Sequence, residues 1–117
     1  MNESSNTYRI SDLSTSDRPR ERLAENGPEA LNPAELLAIL LRVGMEGENA
    51  VQMAQRLLHD MNGLTGLHKA SFTELANQRG LGMAKAAQIK AAIELGRRLV
   101  RENPADPVYL NNPQSAA

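Results

Sequence analysis

Apolar residues along this chain recur three and four apart, the spacing of helices with one buried face, and helix-starting residues stand at the head of most such stretches. Asp17 is placed to cap a short helix through Asn26, which Gly27-Pro28 stops. Asn32-Pro33-Ala34-Glu35 is a stronger start: a capping residue, proline at the first helical position and glutamate at the third. The helix it opens is predicted to run to Val43, with Leu36, Leu37, Leu40 and Leu41 on one face and Gly44 closing it. A loop over Met45–Glu48 leads to Asn49, a cap for a helix that buries Ala50, Val51, Ala54, Leu57, Leu58 and Met61 and ends at Asn62-Gly63. Gly66–Ala70 reads as a short turn or helix.

Ser71-Phe72-Thr73-Glu74 is a second capping box, opening a helix over Phe72–Gln78. A longer helix is predicted over Ala84–Val100, with Ile89, Ala92, Ile93, Gly96, Leu99 and Val100 as its apolar stripe. Lys90, Glu94, Arg97, Arg98 and Arg101 fall on the opposite face, and Asn103-Pro104 ends the helix. A capped helix, a glycine loop and a second helix thus occur twice, over Asn32–Asp60 and over Ser71–Val100. Neither pair can bury its apolar face alone, so the two are expected to pack as one pseudo-symmetric unit. The fold class is all-α, with about five helices. Residues 1–16 read as a loose polar arm, 17–101 as the folded domain and 102–117 as a proline-rich tail or linker, both termini being disordered.

Composition narrows the function classes. With 117 residues the chain suits one small domain, and with no cysteine it offers no disulfide, thiolate metal site or cysteine nucleophile. No basic patch followed by an apolar run opens it, and the longest apolar run, Leu36–Leu41, is far short of a membrane span. A cytoplasmic protein without a membrane partner is the expectation. Tyr8, Phe72 and Tyr109 are its only aromatic residues, too few for the stacking platforms of single-strand binders.

The net charge of −1 hides an asymmetry. Residues 1–67 carry six arginines against ten acids, whereas residues 68–101 carry seven cations against two acids. The basic segment coincides with Arg79-Gly80-Leu81-Gly82-Met83-Ala84-Lys85, where two glycines flank one apolar residue at the mouth of the long helix. Glycines permit a tight bend at positive φ. A helix start offers unpaired N–H groups and the positive end of a dipole, which together suit a phosphate oxygen. The candidate phosphate-contacting residues are Arg79, Gly80, Leu81, Gly82, Met83, Ala84 and Lys85, helped by Lys90. Such contacts hold nucleic acid without reading bases, so binding to DNA is expected to be weak, non-specific and salt-dependent.

The matching loop, Gly44–Asn49, is acidic: Glu46 and Glu48 would repel a phosphate backbone, so this half is expected to be structural or to face a protein partner. Arg18-Pro19-Arg20-Glu21-Arg22 is a short basic cluster that could touch DNA or pin the first helix by ion pairs with Glu25 or Glu29, the second being the favoured expectation. His59 and His68 lack a second ligand at metal spacing, and no serine, histidine or carboxylate set has catalytic geometry. No metal, cofactor, small-molecule substrate or enzymatic activity is expected.

Asp17-Arg18-Pro19-Arg20-Glu21-Arg22-Leu23, Gly27–Leu31, Ala34–Arg42, Gly44, Gly47, Ala54–Leu58, Gly63-Leu64, Gly80-Leu81-Gly82, Lys85-Ala86 and Glu94–Arg98, in that order, resemble the N-terminal domain of RadC proteins, once labelled DNA repair proteins. The resemblance covers about residues 17 to 101. It implies a helix-hairpin-helix domain acting in DNA repair or recombination. In that family the domain normally precedes a JAB/MPN-type metallopeptidase domain, which is expected to be missing here, so no zinc site is carried over. Two alternatives to DNA contact stand beside it: a protein-interaction or scaffold module, and a domain that presents substrate to the missing peptidase domain.

Overall fold

The computed structural model describes residues 18–102. The expected Asp17 cap, the N-terminal arm and nearly all of the proline-rich tail lie outside them. The described residues form helices and turns with no strand: α1 over 18–26, a 3-10 turn at Pro28–Ala30, α2 at Pro33–Leu41, α3 at Ala50–Asp60, α4 at Gly63–Lys69, α5 at Phe72–Ala76 and α6 at Gly82–Glu102.

Three starts use the reciprocal capping box. Asn32 with Glu35 opens α2, Asn49 with Gln52 opens α3, and Ser71 with Glu74 opens α5. Each pair satisfies two amides that a bare helix end would leave open, and losing such a cap costs about 1 kcal/mol.

Several boundaries differ from the sequence expectation. Helix α2 stops at Leu41, two residues early, because Arg42 turns to φ 71°, ψ −58° and the Val43 amide donates to the Leu41 carbonyl at 2.8 Å. This is a γ-turn of the strained hand. Gly44 is small for a different reason than a helix stop: a Cβ there would lie 2.1 Å from the Glu48 carbonyl oxygen. Asn62, in the left-handed region at φ 64°, does end α3, but Gly63 at once starts α4. Helix α5 ends at Ala76, and α6 extends past both predicted limits.

Helix α2 packs chiefly on α3 and α5 on α6, and α2 also meets α6, so the repeated pairs close over one core. Leu41, Met53, Leu57, Leu67, Leu75 and Ile89 are its largest fully buried side chains. Burying each leucine contributes about 1.5–3 kcal/mol. Met53 was not among the residues the pattern marked as core. The predicted stripe of α6 divides: Ile89 is buried and Ile93 partly so, but Gly96, Leu99 and Val100 are exposed.

Gly44→Ala is expected to destabilise the domain by about 3 kcal/mol, because its methyl would strike backbone rather than a movable side chain. Urea denaturation of the two proteins checks this.

Candidate nucleic-acid interface

The bend between α5 and α6 is built from successive turns. The Asn77, Gln78 and Leu81 amides donate to Thr73, Leu75 and Gln78 carbonyls at 3.0, 3.1 and 3.0 Å. Gly80 and Gly82 stand at φ 82° and 73°, where a side chain is strained. Leu81 between them is buried and anchors the bend in the core. Gly80 has a second role: a Cβ there would meet Met45 Sδ at 2.6 Å and Met53 Cε at 2.8 Å. The bend therefore rests directly on the loop of the first helix pair.

That loop is a tight turn, with Met45 and Glu48 exchanging backbone hydrogen bonds of 2.8 and 2.9 Å. It is joined to the second bend by Arg56 of α3. Arg56 Nε and Nη2 donate to the two Glu48 carboxylate oxygens at 2.8 and 2.9 Å, and Nη2 also donates to the Arg79 carbonyl at 2.7 Å. The Arg56 hydrogen bonds hold the Glu48 carboxyl below its ordinary pKa, and Arg79 lowers it further through its charge. Glu48 is thus neutralised by an internal partner. Glu46, at the tip of the turn, is exposed.

The sequence-predicted contact residues fall into two groups. Gly82, Met83 and Ala84 form an open first turn: all three are exposed, Met83 at 69%, and nothing lies within 4 Å of a Cβ built on Gly82. The Arg79 side chain is exposed beside them. No acidic residue occupies the first turn of this 21-residue helix. The lysines are engaged elsewhere. Lys85 Nζ is 2.9 Å from the Val43 carbonyl, so it pins the start of α6 to the γ-turn that ends α2. Lys90 Nζ contacts the Ala70, His68 and Leu67 carbonyls at 2.5, 3.0 and 3.4 Å, at the C-terminal end of α4. A cation there suits the negative pole of the helix. Near the far end of α6, Arg97, Arg98 and Arg101 all converge on Glu94, at 2.7, 2.9 and 3.7 Å.

Sequence reasoning did not single out Arg56, whose partners are 8 and 23 residues away and leave no local signal. In the early basic cluster Arg22 pairs with Glu35 and the Ala30 carbonyl, rather than with Glu25 or Glu29 as expected. Among the described residues no group of three or more His, Asp or Glu side chains is placed to hold a metal ion. No helix among them is long and apolar enough to cross a membrane.

Comparison with known proteins is consistent across the domain. The family model UPF0758 N-terminal matches residues 10–87. A UPF0758 protein of Roseiflexus castenholzii is 53% identical over 109 residues, covering 93% of this chain and 47% of the relative. One from Chloroflexus aurantiacus is 49% identical over 111 residues, covering 95% and 48%, and one from Geobacillus kaustophilus is 46% identical over 110 residues, covering 94% and 49%. The chain therefore spans about half the length of these curated relatives. No solved structure matches it.

The Glu48–Arg56 pair gives stability a defined pH dependence. Because the folded carboxyl titrates below its ordinary value, the contribution is complete above the ordinary carboxylate range and is lost as pH falls through the depressed folded value. Glu48→Gln is therefore expected to lower the urea midpoint at neutral pH and to approach the parent protein's midpoint in acid. Denaturation curves across that pH range test it.

Proposed function

This chain belongs to the UPF0758 N-terminal family, the RadC-like proteins, and we propose that it is a non-catalytic module that holds the DNA backbone without reading its sequence. The observation that carries this reading is the open first turn of α6, with exposed Gly82, Met83 and Ala84 flanked by the exposed Arg79. Amides at such a turn point outward together and favour an anionic oxygen.

The internal pairing of Glu48 strengthens the reading, since one of the two acids expected to repel a phosphate is neutralised by Arg56. The lysines take supporting roles. Lys85 ties the first turn of α6 to the Val43 carbonyl, and Lys90 meets the end of α4. Charge at the bend then comes from Arg79, with Arg42, exposed next to Val43, as a further cation. So few phosphate contacts make binding weak, salt-dependent with a shallow slope, and indifferent to base sequence. In the cell the module would serve DNA repair or recombination, in keeping with the RadC-like resemblance.

Anisotropy titration of the whole chain on arbitrary duplexes tests the proposal. Arg79→Glu is expected to weaken binding equally on all sequences and to reduce the slope of log affinity against log salt by about one or more. Met83→Glu is the sharper variant. An acid in the first turn favours the helix, so folding stability should hold or rise while DNA affinity falls. Absence of binding at low salt, or binding that ignores both substitutions, would falsify the proposal.

A further inference from the structure

Among the described residues positive φ is confined to glycines, Asn62 and Arg42. Glycine and asparagine suit that region; a long side chain does not. Arg42, at φ 71° and ψ −58°, makes a rare turn of the strained hand. The fold requires the turn, which ends α2 and brings Gly44 against the backbone of Glu48 and Asn49. It does not require the arginine, because glycine makes the same turn without strain. Packing does not explain the side chain either. It is exposed, and no hydrogen bond or ion pair holds its guanidinium among the described residues. A cation past the last turn of α2 suits the negative pole of that helix. One placed a turn earlier would do so without strain, yet α2 has no basic residue there. Strain that packing leaves unexplained collects at functional positions.

The surroundings of Arg42 point to the function. The Val43 carbonyl lies 2.9 Å from the Nζ of Lys85, in the first turn of α6. Two residues further on, Met45 lies against Gly80 of the bend. The segment after Arg42 therefore runs along the bend between α5 and α6, and Arg42 borders the open first turn of α6. Arg79, also exposed, stands at the bend itself.

We propose that Arg42 is a second anchor for the DNA backbone, its guanidinium taking a phosphate that neighbours the one held at the first turn of α6. This rests on the DNA-backbone reading of that turn. A guanidinium offers a phosphate two parallel N–H donors and stays charged at any working pH. The turn fixes the Cα of Arg42, so the side chain leaves from a set point rather than from a mobile tip. The first helix pair thereby joins the contact surface through the arginine that precedes its loop, and not through the acidic loop.

Anisotropy titration and urea denaturation of the whole chain test this together, with Arg42→Gly, Arg42→Ala and Arg42→Lys beside the parent. Glycine and alanine both lack the guanidinium, but only glycine relieves the turn. Both are expected to weaken binding about fivefold or more on duplexes of unrelated sequence. Both should also reduce the salt slope by about one. Arg42→Lys keeps the charge and should keep most of the slope. The urea midpoint of Arg42→Gly should rise above those of the parent and of Arg42→Ala, so that binding falls while stability rises. Parental affinity and slope in Arg42→Gly, alongside weakened binding in Arg79→Glu, overturns the second anchor and leaves the first-turn reading standing. A midpoint for Arg42→Gly at or below that of Arg42→Ala also overturns it, because the turn is then not strained. A parent chain that fails to bind at low salt removes both readings.

Discussion

The guanidinium of Arg56 joins the two bends of this domain. It closes on both oxygens of Glu48 in the first loop and reaches the Arg79 carbonyl in the second. One side chain thereby pairs an acid and fixes the separation of two glycine-containing turns. Around it the fit is close: Gly44 meets the backbone of Glu48 and Asn49, and Gly80 meets Met45 and Met53. The two helix pairs are therefore not beads on a chain. Their loops form a single joint, and the exposed first turn of α6 projects from it.

Charge placement follows from that joint. The second half of the chain is basic, yet much of its charge serves internal ends. Lys85 accounts for the carbonyl after the strained turn at Arg42, Lys90 for the last carbonyls of α4, and three arginines share Glu94. Lysine contacts to exposed or half-exposed carbonyls are flexible and individually modest. They nevertheless reduce the number of cations that face outward near the bend, leaving Arg79 as the principal one.

Most of the fold was legible because its signals are local. Capping boxes need residues three apart, and the apolar spacing of α2 and α3 marked Leu37, Leu41, Ala50, Ala54 and Leu57 of their buried sides, though not Ala38 or Met53. The glycine bend was legible too, since few residues other than glycine suit its positive φ. What escaped depended on distant partners. Lys85 meets a carbonyl 42 residues earlier, and Lys90 meets carbonyls 20 to 23 residues earlier. The early end of α2 rests on an arginine in an unusual conformation that its identity does not advertise. The divided burial of α6 was hidden because helical periodicity marks an apolar face without marking how far the body extends along it.

Lys90 on the end of α4 bears on the order in which the domain can assemble. Helix α4 has no side-chain N-cap and includes two glycines in seven residues. The cation that meets its last carbonyls comes from α6, and the carbonyl that completes the partners of Arg56 comes from the second bend. During synthesis the first helix pair emerges complete in sequence but incomplete in structure, because its closing contacts have not yet left the ribosome. The internal echo is thus a repeat of architecture and not of folding unit: neither half has its full set of partners until the other is present.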